Sequence, residues 1–396
     1  CGLFIYDSLA GSSKLPRTKT IRLKNSNFAH FLKDNFKKAY VYSDCWVEDS
    51  RLVVLNAVDA KKHGANIFTH TKVINFLKKG KFWNVITKNN KGDINEYLCK
   101  CLINASGPWV DSLNKSNNLK NPYSIKLVKG SHLVVNKLFD HNHAFFLTGK
   151  DGRIIFVIPF QEEFSLIGTT EVFHENIDLK PTCSEGEKKY LLNFINNYFS
   201  FNLNNKNIIL SFSGVRPLYN SRIQSRGNIS SITRDYLLNL EYFDHLPLLT
   251  IYGGKLTTFR KLSENVLSKL KVVFPEMGTA WTMKKPLPGG DFAIDEKKDL
   301  VKNLIKKFPF LDLKWANRLV NYYGTLSYKI LENVQSKKDL GIDFGHSLTE
   351  REVDWLLNKE FANSIEDVLW RRTKLGLKFN QNQKNKLKKW IEKKVY

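Results

Sequence analysis

Two glycines, a lysine and two threonines stand in one run, Gly253-Gly254-Lys255-Leu256-Thr257-Thr258, and the chemistry they suit is anion binding. Glycine lets a ligand approach the backbone closely. Lysine adds a full charge, and threonine is a good cap for a helix whose N-terminus carries free N–H groups and a partial positive charge. The same run also fits a turn leading into an ordinary capped helix. Two arginines lie upstream, Arg216 in Ser213-Gly-Val-Arg-Pro-Leu218 and Arg234 in Ile232-Thr-Arg-Asp-Tyr236, and each offers a planar fork matched to phosphate or carboxylate. Singly, an arginine suits a surface ion pair. Converging with Lys255 beside a Gly-Gly turn, the two suit a small phosphorylated substrate held next to a cofactor. His132, in Lys129-Gly-Ser-His132, could be a general base or a substrate hydrogen-bond partner. A lone histidine in a strand is more often structural.

These groups need strands and turns to place them. The apolar run Leu246-Pro-Leu-Leu-Thr-Ile251 predicts a strand before the glycines, and Leu256, Phe259, Leu262, Val266 and Leu270 predict a helix after them, starting near Thr257 or Thr258. The pattern recurs at Leu102-Ile-Asn-Ala-Ser-Gly107-Pro-Trp109, where a strand ends in small residues and Pro108 fits the first turn of a helix. In open α/β sheets, ligands lie at the carboxyl ends of strands. Residues 123–172 read as an antiparallel sheet, with strands over 125–135, 144–147, 154–159 and 164–168. A helix over 186–200 and a strand over 208–212 lead to Arg216. Nearer the start, strands are expected over 65–68, 73–77, 82–87 and 97–104, and a helix after Asp49 or Ser50 with Leu52, Leu55 and Val58 on its apolar face. Leu287-Pro-Gly-Gly290 reads as a linker, followed by helices over 297–307, 313–323, 327–334, 349–359, 364–374 and 381–394.

A chain of 396 residues with 42% hydrophobic and 13% aromatic content can build two packed domains, which excludes global disorder. The net charge of +24 would serve nucleic acid, anionic lipid or an anionic substrate. No zinc-finger or RNA-recognition pattern accompanies it, so nucleic acid is not expected as a partner. Two stretches are basic and amphipathic: Phe28, Phe31, Leu32 and Phe36 near the start suit an anionic membrane surface or packing on the protein itself, and Leu387, Trp390, Ile391 and Val395 near the end suit lipid or a partner. The five cysteines fit no metal spacing, Cys99 and Cys101 share one face of an expected strand, and a reducing compartment follows. No apolar run is long enough to span a bilayer.

The ordered set Tyr42-Ser-Asp-Cys-Trp-Val-Glu-Asp-Ser-Arg51-Leu, Asn104-Ala-Ser-Gly-Pro-Trp109, Lys129-Gly-Ser-His132, Ile167-Gly-Thr-Thr170, the Arg216 and Arg234 motifs, Gly253-Gly-Lys-Leu-Thr-Thr258, Leu287-Pro-Gly-Gly290, Asp339-Leu-Gly-Ile-Asp-Phe-Gly345 and Leu369-Trp-Arg-Arg-Thr-Lys374 resembles the FAD-dependent, quinone-linked glycerol-3-phosphate dehydrogenases of aerobic bacteria. The resemblance covers essentially the whole chain. It implies an α/β plus α+β architecture: a partial FAD/NAD(P)-binding, glycine-oxidase-like fold over 1–292, with an antiparallel substrate sheet roughly over 123–241, and an all-α C-terminal cap domain over 293–396. It implies oxidation of sn-glycerol 3-phosphate to dihydroxyacetone phosphate, with FAD as cofactor, a quinone as acceptor, and a homodimer peripheral to the cytoplasmic face of the inner membrane. By the same resemblance Arg216 and Arg234 bind the substrate phosphate or C3 region, Lys255 lies near substrate and flavin, and His132 assists proton removal. Gly253, Gly254, Leu256 and Thr257 meet the flavin end of FAD, and Ala105, Ser106 and Gly107 its dinucleotide portion. A related oxidase that reduces oxygen, and a non-catalytic binding protein that has kept only the substrate domain, are the competing readings.

One family feature has no counterpart. The strand, Gly-x-Gly-x-x-Gly turn and helix that hold the FAD pyrophosphate are not in this sequence. Cys1 aligns roughly a hundred residues into a typical family member, a length in keeping with several strand–helix units. The expectation is that this chain by itself holds FAD weakly and turns over slowly. Absorbance between about 350 and 500 nm, read with and without added FAD and substrate, checks this: a stoichiometric, tightly held flavin on the chain overturns it.

Overall fold

The computed structural model describes residue 7 and residues 15–119, 123–220 and 235–395. Strands β1 (Lys19–Arg22) and β2 (Lys38–Val41) pair antiparallel, and helix α1 (Asp49–Lys62) follows. Then come a three-stranded sheet of β3 (Thr71–Lys79), β4 (Phe82–Asn89) and β5 (Ile94–Cys99), the short strand β6 (Leu102–Asn104), and helix α2 (Val110–Ser116). Next are β7 (Ser124–Asn136), β8 (Phe145–Thr148), β9 (Ile154–Phe160), β10 (Phe164–Gly168) and β11 (Val172–Phe173), then helix α3 (Glu185–Tyr198) and the long strand β12 (Ile208–Asn220). Strands β13 (Tyr236–Phe243) and β14 (Leu246–Gly253) lead to helix α4 (Phe259–Leu270). Helices α5 (Lys297–Lys307), α6 (Leu313–Tyr323) and α7 (Leu326–Ile330) precede β15 (Asp343–Gly345) and β16 (Leu348–Thr349). Helix α8 (Glu350–Lys359), a π-helical turn (Asp367–Arg372) and helix α9 (Gln381–Val395) complete the order.

The chain divides into two compact units: Cys1–Trp46 with Ile74–Ile86 and Glu96–Pro275, and Val47–Val73 with Thr87–Asn95 and Glu276–Tyr396. In the first, β7 is the centre of a six-stranded sheet and pairs antiparallel with β10, β11 and β12. Side chains alternate across a strand. Leu133 and Val135 of β7 therefore point to one face, where they join Leu191, Leu192 and Ile195 of α3 in the core, while Gly130 and His132 share the other face. Helix α3 opens with a capping box, Ser184 accepting from the Glu187 N–H and Glu187 accepting from the Ser184 N–H. A second sheet runs β13-β14-β6, with β14 and β6 parallel, so β13 departs from the sheet that includes β7.

Several expectations from the sequence change here. Residues 65–68 form no strand, and Phe68 is exposed. The stretch expected over 97–104 is two strands in two sheets with a corner at Lys100 and Cys101, so Cys99 and Cys101 do not share one strand face. Helix α1 buries Arg51 and Val54, because its buried face is centred on an arginine. Residues 26–36 form no α-helix. Their Phe28, Phe31 and Phe36 pack on the same core as Phe139, Phe145 and Phe199, and Leu32 is buried in it. Leu387 and Ile391 of α9 are likewise buried in the core of the second unit, with Trp390 and Val395 against them. Both amphipathic stretches thus spend their apolar faces on the protein itself. Leu287–Gly290 is docked in place, with the Gly289 carbonyl accepting from the Thr325 N–H at 3.1 Å.

The second unit holds a buried charged network. Arg51 on α1 donates through Nη2 to Glu360 Oε1 at 3.0 Å, through Nη1 to Glu360 Oε2, and through Nε to the Tyr322 carbonyl at 3.1 Å. Trp355 Nε1 donates to Glu360 Oε1 at 3.1 Å, and Arg372 donates to the Glu360 carbonyl from Nε and Nη2 at 3.1 and 2.6 Å. Arg318 grips Glu352 through Nη1 and Nη2 at 2.7 and 2.6 Å, and Tyr323 donates to the same carboxylate at 2.7 Å. Two sequence motifs without assigned chemistry, the one ending at Arg51 and the one over 369–374, meet in this network. Removing one partner strands the other charge away from water. Arg51→Leu is therefore expected to cost about 3–5 kcal/mol, and Arg51→Leu with Glu360→Leu less than that single change. Denaturant unfolding followed by tryptophan fluorescence, with Trp355 on the network, measures both.

Candidate functional site

The site face of β7 carries the histidine and receives the arginine. His132 stands opposite Gly168 of β10 on one side and Phe212 of β12 on the other. Its ring stacks on Phe212 at 5.2 Å between centroids and 12° between planes. A side chain at Gly168 would run into the imidazole at Cδ2, so this packing requires glycine there. Arg216 pairs with Val128, on the same face, and its side chain leans along the strand until Nη2 lies 2.7 Å from where a Cβ on Gly130 would be. That puts the guanidinium over Gly130, two positions from His132, about 7 Å at the rise of a strand. Arg216 Nη1 donates to Glu171 Oε1 at 3.2 Å and Nη2 to Thr169 Oγ1 at 3.4 Å. The imidazole and the guanidinium therefore sit over two glycines on one sheet face, with the exposed Phe212 beside them.

The opposite face of β7 is locked by one carboxylate. Glu187 Oε1 accepts from Ser131 Oγ at 2.8 Å and Thr170 Oγ1 at 2.7 Å. Its Oε2 accepts from Lys129 Nζ at 2.8 Å and from the Ser184 N–H and Oγ at 2.9 Å each. Burial alone would raise this carboxyl. The Lys129 ammonium, the Ser184 N–H and the Thr170 and Ser131 hydroxyls outweigh it and hold the group at about 2.

The glycine turns sit at neighbouring strand ends. Thr250 of β14 pairs parallel with Asn104 of β6, so Gly253-Gly254 and Ala105-Ser106-Gly107 leave the sheet at the same end. Gly253 and Gly254 have φ of +76° and +106°, in the region that favours glycine. A Cβ on Gly253 would lie 3.2 Å from Tyr219, three residues beyond Arg216, so β12 connects this turn to the arginine. A Cβ on Gly107 would meet nothing within 4 Å. Buried Asn104 shapes the second turn: its Oδ1 accepts from the Ser106 N–H and Oγ at 3.2 and 2.6 Å, and its Nδ2 donates to Asn114 Oδ1 at 2.9 Å. Asn114 Nδ2 then donates to the Tyr252 hydroxyl at 3.2 Å. Burial first, and then the charges of Asp111 and Glu241, push that phenol up to about 12. Lys255, Leu256 and Thr257 are exposed along a 3₁₀ turn after the glycines. Thr258 takes the N-cap position of α4, but its Oγ1 donates to the Lys255 carbonyl at 3.1 Å, so the expected threonine cap bond is not made.

Of the residues singled out in the sequence, His132 and Arg216 come together on one face, and the two glycine-turn groups come together at one sheet end. Arg234 lies outside the described residues. Sequence reasoning missed Phe212, Glu171, Thr169 and Glu187. The alternation Phe212-x-Gly214-x-Arg216 beside Gly130-x-His132 was the available signal for Phe212, since it puts all five on one face once the two strands pair. Glu187 was visible only as the fourth residue of a Ser-x-x-Glu capping box.

The comparisons with known proteins match this architecture. Residues 11–260 match the family described as FAD dependent oxidoreductase, and residues 280–392 the C-terminal domain of alpha-glycerophosphate oxidase. The chain is 39% identical to the glycerol-3-phosphate dehydrogenase of Pseudomonas aeruginosa, over 99% of this chain and 75% of that protein. It is 36% identical to the D-erythritol 1-phosphate dehydrogenase of Brucella abortus, over 99% of this chain and 78% of that protein. The solved glycerol-3-phosphate dehydrogenase from Bacillus halodurans, complexed with FAD, shares the fold with a TM-score of 0.73 at 22% identity, covering 95% of this chain and 79% of that one.

Because Glu187 is held below its ordinary carboxyl value of 4.5, it stabilises the fold fully above that value, and the contribution is lost as pH falls towards about 2. Glu187→Gln is expected to cost about 3 kcal/mol near neutrality and to flatten the stability profile between about pH 5 and 2. Urea midpoints of both proteins across that range measure the difference.

Proposed function

The chain belongs to the family of FAD-dependent glycerol-3-phosphate dehydrogenases, and we propose that it oxidises a short polyol phosphate, sn-glycerol 3-phosphate foremost, to the corresponding ketose phosphate. The observation that supports this most is the placing of the Arg216 guanidinium and the His132 imidazole over neighbouring glycines of one sheet face. The residues present fit the flavin end of FAD: side-chain-free backbone at Gly253 and Gly254, open space at Gly107, and two parallel strands that end together. Ala105, Ser106, Gly107, Gly253, Gly254, Leu256 and Thr257 are the groups proposed to meet it.

When bound, FAD supplies the acceptor for the hydride that leaves the substrate carbon. Arg216 binds the phosphate through its fork, with Glu171 and Thr169 fixing the orientation of the guanidinium. Arg234 adds a second cation to the phosphate, and Lys255 places a third at the turn beside substrate and flavin. The Nδ1 of His132 is buried, which leaves Nε2 to take the hydroxyl proton. Phe212 holds the ring plane by stacking and keeps water from that side. Binding energy from the phosphate is used to orient the reacting carbon.

A quinone as acceptor, a homodimer, and a peripheral place on the cytoplasmic face of an anionic membrane are parts of the same proposal. So is the division of labour between a catalytic 1–292 and a helical cap, 293–396. Among the described residues no helix is long and apolar enough to cross a membrane. With both amphipathic stretches packed inward, membrane attachment would rest on charge, for which a net +24 provides the attraction. Binding to phosphatidylglycerol vesicles that disappears at high salt is the expected result. The match of 280–392 to a domain described for an oxidase favours oxygen as the alternative acceptor, and stoichiometric peroxide release would establish it.

Steady-state kinetics of the FAD-loaded enzyme test the roles. Arg216→Leu removes charge-assisted bonds to phosphate and is expected to raise KM for glycerol 3-phosphate by about 10- to 100-fold. Gly168→Ala displaces the imidazole and is expected to lower kcat with less effect on KM. An unchanged KM in the first variant sinks the phosphate assignment.

A further inference from the structure

Arg216 and His132 lie on the same sheet face but on different strands, so their spacing is set by whatever fixes β7, β12 and the 169–171 turn to one another. Hydrogen bonds along the ladders set register, yet the guanidinium is held by the turn after β10, through Thr169 and Glu171. Backbone pairing ties both ends of that turn to β7, and the Thr170 N–H donates to the Ser131 carbonyl at 3.3 Å; the side-chain link runs through the other face. Thr170 Oγ1 accepts from the Ser131 N–H at 3.0 Å while donating to Glu187, and Ser131 Oγ, which also donates to Glu187, lies 2.7 Å from Ser213 Oγ on β12. Lys129, the neighbour of Gly130 on its other side, ends on the same carboxylate. The residues on either side of Gly130, the residue before His132, and the residue between the two Arg216 partners Thr169 and Glu171 are therefore all tied to Glu187.

We propose that Glu187 is the positioning residue of this site: it fixes the distance between the Arg216 guanidinium and the His132 imidazole. That distance selects polyol phosphates whose oxidised hydroxyl lies one carbon from the phosphate-bearing carbon. The inference rests on the phosphate and proton roles proposed above for those two residues. Glu187 itself is 6% exposed and reaches from α3 onto the face of β7 opposite Arg216 and His132, away from the proposed substrate and cofactor. A glutamine keeps the size but carries two N–H donors where the carboxylate accepts from five, so the serine, threonine and lysine donors cannot all be satisfied. The strands stay paired, and the turn carrying Thr169 and Glu171 loses its side-chain anchor while its backbone bonds to β7 remain.

The experiment compares wild type, Glu187→Gln and Thr170→Val as FAD-loaded enzymes. Two substrates are used, sn-glycerol 3-phosphate and butane-1,3-diol 1-phosphate, whose secondary hydroxyl lies one carbon further from the phosphate. Calorimetric binding of inorganic phosphate provides a readout independent of turnover. For Glu187→Gln, kcat on glycerol 3-phosphate is expected to fall about 100-fold, the loss that a misplacement near 1 Å causes. The ratio of kcat/KM between the two substrates moves towards one, and inorganic phosphate still binds. Thr170→Val, which removes the two bonds of one hydroxyl and leaves the other donors on Glu187, moves the ratio in the same direction by less, and it carries the test should Glu187→Gln not fold. Equal losses on both substrates, or loss of phosphate binding together with kcat, overturn the positioning role. A wild-type chain that holds stoichiometric FAD yet does not reduce it with glycerol 3-phosphate overturns instead the functional reading on which the inference rests.

Discussion

The pairing of β7 on both sides is the constraint on which the rest of the first unit depends. A strand with neighbours on each edge has no freedom to slide, because a shift of one residue would send every side chain to the opposite face. With the register fixed, Leu133 and Val135 must enter the core against α3, and Gly130 and His132 must face away from it. The same alternation puts Phe212, Gly214 and Arg216 of β12 on the site face. The chemistry of this face is a by-product of which residues the core requires on the other.

Both units bury charge, and both do so by surrounding it with donors. Desolvation of a carboxylate costs several kcal/mol unless hydrogen bonds and an opposite charge offset it. Glu187 takes five donors from three segments, and Glu360 and Glu352 take arginine forks with a tryptophan or a tyrosine beside them. Such sites contribute little net stability compared with an apolar packing of the same volume, but they tolerate only one arrangement of their donors. Specificity of arrangement is what a site assembled from separate strands needs.

Much of this was legible in the sequence where the signal was local. The helices Lys297–Lys307 and Leu313–Tyr323 and the strand Phe164–Gly168 were readable because their apolar spacing and turn residues agree. The helical spacing of Phe28, Phe31, Leu32 and Phe36 did not make a helix, because four apolar residues so spaced can also be met by an irregular segment that lays its aromatic rings on a core built by other strands. Helix α1 was read one position out, from Leu52, Leu55 and Val58, because Arg51 is buried by a partner far along the chain. The extent of β12 was missed because Pro217 breaks strand propensity at a position where the strand continues. Of the site, the charged and glycine residues stood out by type, whereas Phe212 and Glu187 take their meaning from strand pairing and helix docking.

The pairing of Arg51 with Glu360 spans 309 positions of sequence. As the chain is made, α1 emerges with its arginine and Val54 more than three hundred residues before Glu360. Domains that are continuous in sequence fold as they are made. The second unit is discontinuous, with 47–73 and 87–95 packed on 276–396, so its early segments precede most of their partners in synthesis. The segment 47–73 is therefore made long before the residues it packs on.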